Sequence, residues 1–323
     1  MGTSGWNYAT GRGTWNGVFY PTRRPRGFDE LAYYAEHFDT VEVNSTFYRM
    51  PEPAMSVSWA RRTPPDFQFA IKLFQKFTHP DMYLGRNGVS DWDLSKDDVD
   101  LFRRGIDPIA DAGRLAAVLI QFPPSFHAET ETRDYLDWLL EAFSGYALAV
   151  ELRHKTWSDD RAATAAQLSA RQASWVLIDE PKFSSSIRQR YGEGLGTVAD
   201  LETPPPYGNY GNLTYIRLHG RNAAQWWEHD SSEDRYNYLY SPAELAPFAR
   251  TARSAAASKR RVLMYLNNHF SAKAVANAVI LKHQLDQTIT GEYPPEIVAR
   301  FPDLAGVVRT SGLPYDRPSG SPE

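Results

Sequence analysis

Short apolar, β-branched runs recur eight times along the chain, at 2-8 (GTSGWNY), 40-46 (TVEVNST), 68-74 (QFAIKLF), 116-122 (AAVLIQF), 147-153 (ALAVELR), 174-180 (SWVLIDE), 213-219 (LTYIRLH) and 261-268 (RVLMYLNN). Each has the length of a strand, and most end in polar residues. Between them lie segments of helical spacing, among them 28-38, 97-112, 130-144, 158-172, 242-257 and 271-289, several opened by the Asp, Ser or Thr expected at an N-cap. Strand and helix alternating in this way require a parallel sheet, and eight repeats are the number that closes a TIM-type (β/α)8 barrel. A doubly wound open sheet is the rival arrangement, but it would usually carry a Gly-rich phosphate turn after the first strand. Here Gly11 and Gly13 lie in a long loop and open no evident helix.

In seven of the eight strands one parity is apolar and the other polar, as expected when alternate side chains face opposite sides. Val41 and Val43 face the helices while Glu42 and Asn44 face inward. The same reading turns Lys72, Gln121, Glu151, Arg153, Asp179, Arg217, His219, Tyr265, Asn267 and His269 inward. The first strand is ambiguous, with Trp6 and Tyr8 on one parity and Asn7 on the other. In a barrel, inward residues near the carboxyl ends of different strands converge on one mouth, where such enzymes place their chemistry.

Long connections at 9-27, 75-96, 181-212 and 220-240, mostly after strands, are expected to decorate that mouth. They hold Trp15, Phe19, Tyr20, Trp226, Trp227, Tyr236, Tyr238 and Tyr240. These rings suit stacking on bases or sugars, and equally suit packing a lid over the barrel. Residues 1-290 read as a single barrel and 291-323 as a C-terminal extension, whose Pro-, Gly- and Ser-rich tail from about 310 is expected to be frayed.

Composition narrows the chemistry. With 42% hydrophobic and 23% charged residues the chain is a folded globular protein, and 35 Lys and Arg against 39 Asp and Glu supply no global basic field. Anion binding must therefore be local. The absence of cysteine removes disulfides, thiolate metal sites and a cysteine nucleophile, and fits a reducing compartment. No run approaches the roughly 18 apolar residues of a membrane span, and Met1 is followed by Gly-Thr-Ser-Gly-Trp rather than a charged and then apolar leader. The expectation is a cytoplasmic protein with no membrane partner.

Several stretches at the strand ends resemble the YecE-like family, domain-of-unknown-function family seventy-two. They are GTSGW at 2-6, FYP at 19-21, YAEHFDTVEVNSTFYRMP at 34-51, FAIK at 69-72, LIQFPPSF at 119-126, VELRHKTW at 150-157, RLHG at 217-220 and YLNNH at 265-269. They recur in order through seven of the eight strands. The resemblance implies a TIM-type barrel and no particular activity. The family's fold is similar to that of the endonuclease-IV and sugar-isomerase barrels, an association that points to nucleic acid or sugar phosphate substrates.

Apart from the resemblance, the inward charges divide evenly, with Glu42, Glu151 and Asp179 against Lys72, Arg153 and Arg217. A metal site wants carboxylates and histidines in excess, and the chain has no HExxH or DxDxDG motif. The expected site therefore uses no metal and no cofactor, with His219, His269 and the carboxylates as the alternative zinc or manganese set. Arginine forks and a lysine suit a bound phosphate or carboxylate. Glu42 and Glu151 are the expected proton carriers, with His219 as a further catalytic group. Lys72, Arg153 and Arg217 are expected to hold the anion, with Asn44, Asn267, Asp179, Trp6 and Tyr8 as further substrate contacts. His79, in the loop after the third strand, is a candidate to reach the mouth, whereas His37, His127 and His283 read as surface or capping residues.

These residues point to a metal-independent enzyme, hydrolytic in its reaction class, whose partner is an anionic sugar, nucleotide or nucleic acid. A glycosidase using the paired carboxylates is one alternative. A non-enzymatic module that binds nucleic acid or protein is another. Six balanced charges also fit an internal ion-pair network that fixes strand register.

Overall fold

The computed structural model describes residues 1-88, 92-189, 212-227, 231, 233-258 and 260-311. The expected frayed tail and most of the 181-212 connection lie outside the described residues. All eight predicted runs contain strand: β1 (Gly2–Thr3), β2 (Thr40–Val43), β3 (Gln68–Lys72), β4 (Leu115–Gln121), β5 (Leu148–Glu151), β6 (Ser174–Trp175), β7 (Leu177–Asp179), β8 (Leu213–Leu218) and β9 (Arg261–Leu266). Every pairing is parallel, in two sheets of order β1-β9-β8-β7 and β2-β3-β4-β5-β6. The architecture is thus α/β with parallel sheets, and the single sheet of eight expected from the pattern is replaced by two.

Local hydrogen bonding explains the division. The sixth run breaks at Val176, whose N–H still donates to Val150 of β5 at 2.9 Å. Beyond it the side chain of Gln189 takes the place of a strand neighbour: its amide donates to the Val176 carbonyl and its oxygen accepts from the Ile178 N–H, both at 2.9 Å. The chain then pairs with β8 instead of β5. At the other junction a parallel bridge links Ser4 to Glu42, and the Gly5 N–H donates to the Glu42 carbonyl at 2.8 Å. Approach here is close enough to demand glycine: a Cβ on Gly2 would stand 2.0 Å from the Thr40 carbonyl oxygen.

The helices follow their capping chemistry. Asp29 caps the helix Glu30–Ala35 by accepting from Leu31 and Ala32 N–H at 2.9 and 3.1 Å, and Arg62 grips the same carboxylate. Ser241 and Glu244 form a reciprocal capping box at the start of Pro242–Ala257, with Pro242 in the first turn where its missing N–H costs no helical bond. Helices unforeseen in the pattern occupy Ser45–Tyr48, Pro53–Arg61, Pro80–Asn87 and Pro295–Arg300. Three of these, Pro53–Arg61, Pro80–Asn87 and Pro295–Arg300, carry Pro in the first turn, a start signal that apolar periodicity does not record.

The first long loop is packing rather than an open stacking surface. Trp15, Phe19 and Tyr20 are fully buried, and Phe19 meets Tyr33, His37 and Tyr293 edge-on or tilted. His37, expected at the surface, is buried with its Nε2 3.1 Å from the Glu292 carbonyl. The segment after 291 docks through Tyr293, Ile297 and Leu304, all buried. Among the described residues no helix is long and apolar enough to cross a membrane.

Candidate functional site

Parity places the polar strand residues on a common side, where they form two layers. The deep layer is a closed ion-pair network centred on Arg217 of β8. Its Nη2 donates to Glu42 Oε1 at 2.6 Å, and its Nη1 donates to Glu151 Oε2 at 2.5 Å and to Gln121 Oε1 at 3.0 Å. The second oxygen of Glu42 accepts from the Tyr215 hydroxyl at 2.6 Å, and that of Glu151 accepts from Arg153 Nε at 2.7 Å. Glu42 and Glu151 are 0% exposed and Arg217 1%, so water does not screen these pairs. Burial by itself would raise the Glu151 pKa, but Arg217 and then Arg153 outweigh it and hold the group well below the usual carboxylate range.

His219 completes this layer as a neutral ring. Burial pushes its pKa down to about 3, against the pull of Glu151. Asn267 Nδ2 lies 2.9 Å from Nδ1, and Nε2 lies 3.3 Å from Glu151 Oε1. Nε2 also lies 3.3 Å from Arg153 Nη2 and 3.5 Å from Arg217 Nη1, so the ring sits between the carboxylate and both guanidinium groups.

Above the network opens a cavity of about 520 Å³, lined at its floor by Lys72, Gln121, Arg153, Arg217 and Asn267 and on its walls by Tyr8, Asn44, Phe47, His79 and His269. Tyr48, Met82 and Trp227, all exposed, stand at its rim with Glu233 and Arg235, and the buried Trp226 also lines it with Tyr236. Arg153 is the bridge between layers: its side chain is 12% exposed, with Nη1 3.5 Å from Glu180. Lys72, the last residue of β3, holds its Nζ 4.0 Å from the centre of the Phe47 ring. Burial, and next the charge of Arg217, lower its pKa to about 7, against the opposing pull of Glu151 and Glu42. His79 is also kept neutral, down to about 3, by burial and then by Lys72 and Arg153. Asn44 Oδ1 and His269 Nδ1, both from cavity-lining residues, are buried with no hydrogen-bond partner among the described residues.

Of the expected site residues, Asn44, Lys72, Arg153, Arg217, Asn267 and Tyr8 line the cavity, as does His79. Glu42, Glu151 and His219 are brought together but lie behind Arg217 and Arg153 and do not line it. Two residues are directed elsewhere. Asp179 is held by Arg221 at 2.8 and 3.1 Å and by the Tyr240 hydroxyl at 2.7 Å, because a longer loop cation reaches it from outside. Trp6 packs edge-on against Trp59 at 6.1 Å, since the backbone leaves strand geometry after Ser4 and ends the parity on which its direction depended. Phe47, Tyr48 and Met82 were missed because they sit on the short helices after β2 and β3, where alternation gives no signal. Among the described residues no group of three or more His, Asp or Glu side chains is arranged to hold a metal ion.

Fold and cavity together define a parallel α/β protein with a cation-floored pocket beyond the carboxyl ends of its strands. The chain belongs to the DUF72 family: the family model described as "Protein of unknown function DUF72" matches residues 1–298. It is 26% identical over 294 residues to the UPF0759 protein YunF of Bacillus subtilis (strain 168), covering 89% of this chain and 97% of that protein. It is 38% identical to the UPF0759 protein YecE of Escherichia coli (strain K12) over 53 residues, 16% of this chain and 20% of that protein. Among solved structures, a DUF72 family protein of Thermotoga maritima MSB8 superposes with a TM-score of 0.70 at 31% identity, covering 89% of this chain and 100% of that one. A DUF72 family protein of Enterococcus faecalis V583 gives 0.71 at 21% identity over 91% and 98%, a likeness of fold.

Proposed function

We propose that the cavity binds an anionic, phosphate-bearing sugar or nucleotide and that the protein is an enzyme acting on it with groups of its own chain. The observation that carries this reading is the order of charge with depth. Lys72, Arg153 and Arg217 line the cavity, whereas Glu42 and Glu151 lie behind the guanidinium groups. Glu233 and Arg235 stand at the rim as one charge of each sign, so inside it a ligand meets cationic donors, and an arginine edge offers paired hydrogen bonds to two oxygens of an anion. The unpartnered Asn44 oxygen suits a ligand hydroxyl, and Trp227 and Tyr48, 60% and 52% exposed at the rim, offer flat apolar faces to a sugar or base.

The same order of charge weighs against a glycosidase mechanism, which requires two carboxylates in contact with the sugar. It also moves the expected proton chemistry from Glu42 and Glu151 to Lys72, whose pKa of about 7 suits exchange with a substrate near neutrality. We further infer that the two sheets form one (β/α)8-type barrel over residues 1-290. The Ser4–Glu42 bridge and the shared run 174-179 support this reading.

Calorimetric titration with ribose 5-phosphate and with ribose tests the proposal. The ester is expected to bind and ribose to bind at least ~10-fold more weakly, and Arg153→Ala should weaken the ester by a similar factor, the loss of one charge-assisted hydrogen bond. Equal binding of the two sugars, or no effect of Arg153→Ala, would overturn it.

A further inference from the structure

The ion-pair network leaves one group over. Arg217 takes an oxygen from each of Glu42 and Glu151, Tyr215 and Arg153 take the others, and no carboxylate remains within reach of Lys72. Three other partly or fully buried lysines have acceptors: Lys76 donates to Asp98 at 2.8 and 3.0 Å, Lys273 to Asn237 at 2.5 Å and Lys282 to the His37 carbonyl at 3.1 Å. The Lys72 carbonyl accepts from the Thr46 hydroxyl, but its Nζ has no hydrogen bond or ion pair among the described residues, and its neighbour is the face of Phe47. An ammonium on an unbranched stem, facing a cavity under the charges of Arg217 and Arg153 and with no carboxylate in ion-pair contact among the described residues, is the arrangement that yields a free amine.

We propose that Lys72 is a nucleophile that forms an imine with an aldehyde or ketone carrying a phosphate or carboxylate, an inference that rests on the anion-binding reading of the same cavity. The Nζ lone pair attacks the carbonyl carbon, forming the C–N bond as the carbonyl π pair moves to oxygen. The resulting carbinolamine loses that oxygen with the two amine hydrogens as one water, leaving C=N, and no oxidant or reductant enters. Arg153, whose side chain is partly exposed to the cavity, holds the anionic end of the substrate, and the charges of Arg153 and Arg217 keep the amine unprotonated between turnovers. The protonation state agrees with this geometry, since the Lys72 pKa lies near 7 where a free lysine has 10.5.

Borohydride trapping tests the inference on the intact protein. Pyridoxal 5′-phosphate is the anionic aldehyde probe, pyridoxal its uncharged-tail control, and peptide mapping by mass spectrometry locates the reduced secondary amine. The expected result is one label per chain on Lys72, at least ~10-fold faster than on any other lysine, half-maximal near pH 7 and suppressed by inorganic phosphate. Lys72→Arg should abolish the label while still binding inorganic phosphate. The wild-type map decides the matter even if that variant fails to fold. Label spread over exposed lysines with Lys72 unmodified, while ribose 5-phosphate still binds, would overturn the imine and leave the anion site standing. Equal labelling of Lys72 by pyridoxal and its phosphate would support the nucleophile and overturn the anion reading.

Discussion

Arg217 shows at the scale of one residue how a buried charge is tolerated. Its guanidinium leaves water entirely, which costs several kcal/mol in a protein interior, and two carboxylates, a glutamine oxygen and their own partners offset that cost. Removing it strands Glu42 and Glu151 without their principal counter-charge. Arg217→Met is therefore expected to lose about 3-5 kcal/mol of stability in a denaturant titration. Adding Glu42→Gln should return a substantial part, because Glu151 keeps Arg153 while Glu42 has only the Tyr215 hydroxyl. A loss below ~1 kcal/mol for the single variant would mean that the site admits water and that the network does not carry buried charge.

The element scale is governed by how closely helices can approach. Pro53–Arg61 and Lys96–Asp111 pack together, with the Ser56 hydroxyl donating to the Gly105 carbonyl at 2.5 Å. Gly105 lies inside a helix, where alanine is normally better by about 1 kcal/mol. Here a Cβ would stand 2.3 Å from the Pro51 carbonyl oxygen, and that contact is backbone and cannot swing aside. Gly105→Ala should thus destabilise by about 1-3 kcal/mol despite its propensity, read as a lower thermal midpoint. A raised midpoint would show that the two helices separate freely.

Across the whole molecule, burial of titratable groups fixes the pH dependence of folding. His79, His219 and His269 are each pushed down to about 3 by burial from an ordinary 6.5. The unfolded chain therefore binds protons below pH 6.5 that the folded chain refuses, and stability falls as pH drops from 6.5 toward 3. Each fully titrating group contributes a slope of about 1.4 kcal/mol per pH unit inside that window. Glu151 works in the same direction, because its depressed pKa gives stability that is present above the ordinary carboxylate range and lost as pH falls through its folded value. Lys72 acts elsewhere: with a folded pKa of about 7 against 10.5 unfolded, its burial makes stability rise with pH between those values. Urea midpoints measured from pH 7 to pH 4 should decline before ordinary carboxylates titrate. His269→Phe, which keeps a ring against Tyr8, should flatten that decline. An unchanged slope in the variant would mean that His269 is protonated in the fold.

The sequence by itself determined the strand runs, most long helices, the family and the inward parity of Glu42, Lys72, Glu151, Arg153, Arg217 and His219. These follow from periodicity and capping, which are properties of neighbouring residues along a chain. Parity named the six without ranking them by depth, and depth separates a ligand contact from a sealed ion pair. Only the tertiary structure decided that Arg217 takes both glutamates, that Arg221 and Tyr240 draw Asp179 away, and that Gln189 divides the sixth run between two sheets. Each of these is a competition between side chains remote in sequence for the same hydrogen-bonding atoms, and no local pattern records its outcome. Lys72 is the residue whose Nζ the competition leaves without an ion pair among the described residues, and that became visible only with the network in place.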